Sequence, residues 1–241
     1  MQAFRMIGNL YFVGTEKASS HLFVTEEGLI LLDTGYDYTA EIIINGIKEL
    51  GFDVKDVKYI IHSHGHYDHT GGTKNILQVA PNAKTFLSLN DVRYIENNAF
   101  YPDYPLTDGL VIKLGSTEIL CKFTPGHTEG SFSFFFNVEE DGKTYRAGMF
   151  GGAGTNQLKR EYMERRNVPM NMRDEFFNSI DMLLKEKVDV MIGNHAKHNK
   201  TFEKHLLMGK TEQNPYINDK EWKQFLLSLK VKLTEIIQSG I

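Results

Sequence analysis

Apolar positions along the chain recur with two periods, and the switches between them mark out its elements. Across residues 37–50, Ala40, Ile43, Ile47 and Leu50 fall at helical spacing with Gly51 just beyond, which predicts an amphipathic helix with a glycine stop. Residues 219–237 carry Trp222, Phe225, Leu226, Leu229, Leu233 and Ile236 on one face and predict a closing helix. Residues 73–79 and 174–187 are expected to be further helices. The runs 4–13, 20–24, 29–32, 57–61 and 188–192, and a meander over 110–148, are rich in β-branched and aromatic residues and predict strands. Residues 25–28 and 139–142 are expected to be hairpin turns. Two groups of strands, each finished with helices, predict two sheets packed face to face with helices outside.

Composition narrows this picture. No Pro/Ser-rich linker divides the 241 residues and 41% of them are hydrophobic, so residues 1–241 are expected to form one domain around a large core. The net charge of −4 comes from well-mixed signs, with no basic stripe for nucleic acid and no run of membrane-spanning length. The lone Cys121 excludes an intrachain disulfide, and its alternation with Ile119 and Phe123 predicts a buried strand position, not a nucleophile. Met1 leads within a few residues into the first strand and no signal peptide is visible. The compartment is then cytoplasmic if Met1 is the native start, and periplasmic or secreted if the chain is a mature or trimmed form.

Candidate chemistry concentrates in residues 60–73, IIHSHGHYDHTGGT, where His62, His64, His66, Asp68 and His69 occupy eight positions after an apolar strand. Four of the nine histidines fall here, which makes chance clustering a poor explanation. Crowded imidazoles and carboxylates are costly to desolvate, whereas a divalent cation turns the same crowd into ligands. His64 and His66, two apart, leave an extended strand exit on the same side and can share an ion. A set dominated by imidazole suits zinc better than iron or manganese.

The pattern His64-x-His66-x-Asp68-His69, followed by Gly71 and Gly72, resembles the signature of the metallo-β-lactamase superfamily. GLILLDTG over 28–35, TPGHTEGS over 124–131 and MIGNH over 191–195 are similar to that family's other loops, in the same order. The resemblance implies an α+β fold, a four-layer αββα sandwich of two mixed β-sheets with helices on both outer faces. It implies a zinc-dependent hydrolase of a small-molecule substrate with two zinc ions, one on His64, His66 and His127, the other on Asp68, His69 and His195, sharing a hydroxide. Asp68 would also orient that hydroxide, and Asp33, at a strand end, would accept a hydrogen bond that fixes a histidine or its loop.

One departure sharpens the expectation. Many members carry a bridging Asp on the strand after the hairpin, but residues 146–155 here read RAGMFGGAGT, with neither carboxylate nor thiol. That is similar to the third subclass of metallo-β-lactamases. It argues against thioesterase, nuclease and diiron activities and points to opening of a cyclic amide, with β-lactams first. The alternative is a lactone, ester or phosphoester hydrolase, favoured if Glu161 or Asp174 reached the metals; a non-hydrolytic metal-binding or redox protein comes third. Gly151, Gly152 and Gly154 stand where that subclass often has serines that bind a substrate carboxylate. His62 is expected behind the ligands or at the surface and His198 in solvent, while His21 and His205 have no partners at motif spacing. Tyr94, Phe100, Tyr101 and Tyr104 lie in a Pro-interrupted loop that either covers substrate, as in the family, or packs into the core.

Overall fold

A computed structural model describes residues 3–240. The first sheet begins with β1 (Phe4–Ile7), β2 (Leu10–Phe12), β3 (His21–Thr25) and β4 (Gly28–Leu32), all antiparallel neighbours. Helix α1 (Ala40–Glu49) crosses to β5 (Val57–Ile61), which lies parallel to β4. After the short helices α2 (Tyr67–Thr70) and α3 (Thr73–Val79), β6 (Lys84–Leu87) and β7 (Tyr104–Pro105) complete seven strands in chain order. The second sheet is the meander β8 (Val111–Leu114), β9 (Thr117–Phe123), β10 (Phe132–Glu140) and β11 (Lys143–Phe150). Helices α4 (Arg160–Arg166) and α5 (Met172–Leu183) then lead to β12 (Val190–Gly193), parallel to β11, and α6 (Thr201–Leu207) and α7 (Glu221–Gln238) close the chain.

Strand alternation builds the four layers. On β10, Phe132, Phe134, Phe136 and Val138 face the first sheet and meet Phe23, Ile30 and Leu32, whereas Phe135 faces outward onto Trp222 of α7. On β4, Leu29 and Leu31 turn the other way and pack under Ile43 and Ile47 of α1. Strands buried on both faces read as largely apolar runs, as in GLILL and FSFFF, where the one polar side chain, Ser133, is itself buried. Cys121 lies fully buried in the layer between the sheets, where burial pushes its thiol up to about 12. Among the described residues no helix is long and apolar enough to cross a membrane.

Several boundaries differ from the sequence expectation. The predicted strand 4–13 is a hairpin, because Gly8 adopts a φ of +52° beneath β10, where an added Cβ would sit 2.7 Å from the Glu139 carbonyl. The predicted helix 37–50 begins with a 3-10 turn, Asp37–Thr39. Helix α5 runs Met172–Leu183 and β12 starts only at Val190, so the predicted elements 174–187 and 188–192 are both displaced. Strands β6 and β7 and helices α2, α4 and α6 were not predicted; each is seven residues or shorter and too brief to show a period. The strand ends after β4, β5, β9, β11 and β12 all open on one end of the sandwich, which is where the chemistry collects.

Candidate metal centre

The site is assembled from the loop after β5. Asp33, the residue after β4, is held at a φ of +60°, a left-handed conformation uncommon outside glycine. Its Oδ1 accepts the Ser63 N–H at 2.7 Å, and its Oδ2 accepts the Ser63 hydroxyl and His69 Nδ1, each at 2.7 Å. One carboxylate therefore fixes both ends of the segment that carries His64, His66, Asp68 and His69. His127 arrives on the loop between β9 and β10, and His195 follows β12.

Hydrogen bonds on the far side of each ring decide which nitrogen faces the centre. His127 Nδ1 donates to the Gly154 carbonyl at 2.8 Å, leaving Nε2 as a bare lone pair. Because Ser63 gives its proton to Asp33, its oxygen accepts from His64 Nδ1 at 3.1 Å, so His64 Nε2 is bare as well. Those two Nε2 atoms stand 3.2 Å apart, and His66 Nδ1 lies 3.1 Å from His127 Nε2. Beside them, His69 donates from Nδ1 to Asp33 while its Nε2 is buried without a hydrogen-bond partner, 3.4 Å from Asp68 Oδ2. His195 donates from Nδ1 to the Lys17 carbonyl, and its Nε2 is 3.6 Å from the same Asp68 oxygen. The rings of His64 and His69 are 4.2 Å apart, so the two groups adjoin.

Lone pairs and a carboxylate pointed at one another repel unless a cation lies among them, and this donor set fits divalent metal. Two triads bring their ligand atoms within 4.8 Å of one another: His64, His66 and His127, and His64, Asp68 and His69. The second differs from the expected trio by holding His64 in place of His195, which reaches the group through Asp68. Burial holds His64 and His127 well below the usual imidazole range and brings His66 to about 4, the neutral forms that ligate metal. Burial also works against charge on His69, but with no cation beside it Asp68 and Asp33 outweigh that and lift the ring to about 10, so a metal ion bound there would displace the Nε2 proton to gain its lone pair. Burial raises the Asp68 carboxyl, and His69 foremost overcomes it and holds the group well below the usual carboxylate range. A cavity of about 530 Å³ opens beside the centre, with His66, Asp68, His127 and His195 on one wall.

Residues 13–141 match the profile of the metallo-beta-lactamase superfamily. The chain belongs to that superfamily. It is 33% identical over 110 residues to a hydroxyacylglutathione hydrolase of Francisella tularensis subsp. novicida, a match covering 43% of this chain and 41% of that protein. It is 28% identical over 149 residues to an N-acyl homoserine lactonase of Bacillus thuringiensis, covering 51% of this chain and 59% of that one. These matches thus span about half the length of the curated relatives. Among solved structures it resembles native FEZ-1 metallo-beta-lactamase from Legionella gormanii, with a TM-score of 0.88 and 28% identity over all of this chain and 97% of that one. The TM-score is 0.90 against BJP-1, a subclass B3 metallo-beta-lactamase of Bradyrhizobium japonicum, at 25% identity over 100% and 95% of the two chains. The structural neighbours are mainly of that third subclass, as the missing bridging carboxylate implied.

The remaining candidates of this superfamily member fall into place around the centre. His62 is buried, not at the surface: Nδ1 bonds the Phe86 carbonyl at 3.0 Å, Nε2 bonds the Thr73 hydroxyl at 2.7 Å, and the ring stacks on Phe100. Thr73 in turn bonds Thr34, whose hydroxyl donates to the His69 carbonyl, so His62 braces the loop from behind. His198 is half-buried on the cavity wall rather than free in solvent: it packs against His195 and Phe225, and donates from Nδ1 to Asn194 at 2.9 Å. His205 stacks on Phe4, and His21 is buried with neither ring nitrogen hydrogen-bonded. Tyr94 lies 5.2 Å from the His66 ring and donates its hydroxyl to Glu129, whereas Tyr101 and Tyr104 are exposed. Glu161 and Asp174 are exposed and belong to neither triad.

Asp91 escaped sequence reasoning. Fully buried, it accepts from the Gly65 N–H, the Thr128 hydroxyl and the Gly130 N–H, each at 2.7 Å, and so ties the first histidine loop to the loop of His127. Its stretch, LNDVRY, has no motif spacing that would reveal it.

Proposed function

We propose that this protein is a di-zinc hydrolase that opens a cyclic amide, with β-lactams as the leading substrate class. One observation carries the reading: four imidazoles, His64, His69, His127 and His195, spend one ring nitrogen on an acceptor behind the site and aim the other, bare, into it. The subclass B3 neighbours and the absence of any carboxylate or thiol in residues 146–155 support the lactam over other ring-opening chemistry. We assign His64, His66 and His127 to one ion and Asp68, His69 and His195 to the other.

Zinc bound there would supply Lewis acidity toward a carbonyl and a water acidic enough to ionise near neutral pH, so no Ser, Cys or His nucleophile is required. Asp68, partly exposed on the cavity wall, is placed to hold one ion and would orient water there toward a substrate carbonyl. Asp33 keeps His69 in the tautomer whose Nε2 faces the centre.

A second reading, hydrolysis of a lactone, ester or phosphoester, draws support from the relatives named hydroxyacylglutathione hydrolase and N-acyl homoserine lactonase. Zinc-reconstituted protein assayed on a chromogenic cephalosporin, a lactone and a phosphodiester separates the two. Chelator-sensitive cephalosporin opening is expected; lactone or phosphodiester turnover without it would transfer the function to the second reading.

A further inference from the structure

We propose that Asn194 is a positioning residue that couples the two metal subsites, so that an ion in one raises the affinity of the other. The inference rests on the two-ion assignment above and is independent of which bond the enzyme opens.

Asn194 directly precedes His195 and is 1% exposed. Its Nδ2 donates to the Gly151 carbonyl at 2.5 Å, its Oδ1 accepts from His198 Nδ1 at 2.9 Å, and its own carbonyl accepts the Ser19 N–H at 3.0 Å. The amide orientation is fixed, because turning it over would set Oδ1 against the Gly151 carbonyl oxygen. Three loops therefore meet at one buried residue.

Two of those bonds lead to carbonyls that orient a metal-facing ring. Gly151 lies three residues before Gly154, whose carbonyl takes the His127 Nδ1 proton. Ser19 lies two residues after Lys17, whose carbonyl takes the His195 Nδ1 proton. His127 and His195 are assigned to different ions, and the acceptors that set their tautomers are joined through Asn194. Asp33 links the subsites on one side, within the segment of His64 and His69; Asn194 links them on the other.

The loop after β11 explains how such a tie transmits order. Residues 151–154 read Gly-Gly-Ala-Gly, and glycine loses the most backbone freedom when it is fixed. Stiffer residues do not fit: an added Cβ would lie 2.1 Å from the Phe132 carbonyl oxygen at Gly151 and 2.8 Å from the Ser131 hydroxyl at Gly152. Order in this run comes from its bonds. With His127 fixed on an ion, Gly154 is fixed behind it, and Asn194 passes that constraint from Gly151 to the residue before His195. The second subsite then has less freedom left to lose on binding.

The test is a double-mutant cycle on zinc affinity in the full chain. Titrations are followed by the imidazole NMR signals of His69 and His195, which report the second subsite alone. Its affinity is compared between wild type and His127→Ala, and again between Asn194→Ala and the His127→Ala/Asn194→Ala double variant. Repulsion between the ions and any shared water act in both pairs and cancel. Removing His127 is expected to weaken the second ion about tenfold more when Asn194 is present than when it is absent. Asn194→Asp keeps the volume and the bond from His198 but cannot donate to Gly151, so it repeats the cycle, with the same expectation, should the alanine variant not fold. His198→Phe cuts the bond from His198 and spares the one to Gly151, and is expected to leave the tenfold term intact. An equal effect of His127→Ala in both backgrounds, or loss of the term in His198→Phe as well, would overturn the coupling while the metal assignment stands. A wild type that binds no zinc at the second subsite would remove the assignment and the coupling together.

Discussion

Asp33 and His62 show how a residue can serve the centre without touching what sits in it. The Asp33 carboxylate answers three donors, and an asparagine in its place would set an amide N–H₂ against at least one of them. Asp33→Asn should leave the fold intact and weaken zinc binding roughly 10–100-fold in a competition titration against a chromophoric chelator; unchanged affinity would mean that the tautomer of His69 does not matter. His62 lies one step further back. His62→Ala removes two buried hydrogen bonds and a stack on Phe100, so it should cost about 2–4 kcal/mol in urea unfolding while folded protein keeps its full metal content. His64, His66, Asp68 and His69 were legible because chemistry crowded them into one motif, and His127 and His195 through the resemblance of their loops to those of a known family. Asp91 and Ser63 were not, since each matters through a partner distant in sequence, and nothing in a single chain reports the groups that a lone Asp or Ser will meet.

At the scale of elements, loops are locked to loops by buried polar groups while strands merely deliver them. Burial raises Asp91 to about 6 from its ordinary 3.8, against the three hydrogen bonds that lower it. The folded state then holds a proton that the unfolded chain releases between about pH 4 and 6. Stability from this group is accordingly present at pH 4 and is lost as pH rises through 6, by roughly 2–3 kcal/mol. Asp91→Asn should erase that component in urea titrations at pH 4 and pH 7, compared as a difference from wild type, and an unaltered pH slope would exclude the assignment. Gly154→Ala tests the loop after β11: its Cβ must displace the His127 ring, so zinc affinity and turnover should fall at least tenfold together with the far-ultraviolet spectrum preserved. Long helices such as α1 and α7 were readable from their periods. The 4–13 run was not, because its alternation continues through the Gly8 turn, where only the backbone conformation reveals the reversal.

Across the whole molecule, two mixed sheets face each other and every functional loop leaves from the same end. The parallel pairs β4–β5 and β11–β12 make this possible, since parallel neighbours bring their carboxyl ends to one edge. That edge joins Asp33 and the His64–His69 loop from one sheet to His127, Gly154 and His195 from the other. The arrangement follows from apolar runs that bury both faces of each sheet, and those runs are plain in the sequence. The cavity's far wall is assembled from the loop after β12 and from α7, elements whose mutual placement no local pattern encodes.

The account turns on bare imidazole nitrogens gathered for metal, and it is tested most directly by zinc content per chain together with chromogenic cephalosporin hydrolysis, in wild type and His127→Ala. It predicts two zinc ions in wild type with chelator-sensitive opening, and in the variant the loss of the first-site ion together with activity. A wild type that binds no zinc, or a His127→Ala protein that retains near-normal activity, would contradict it.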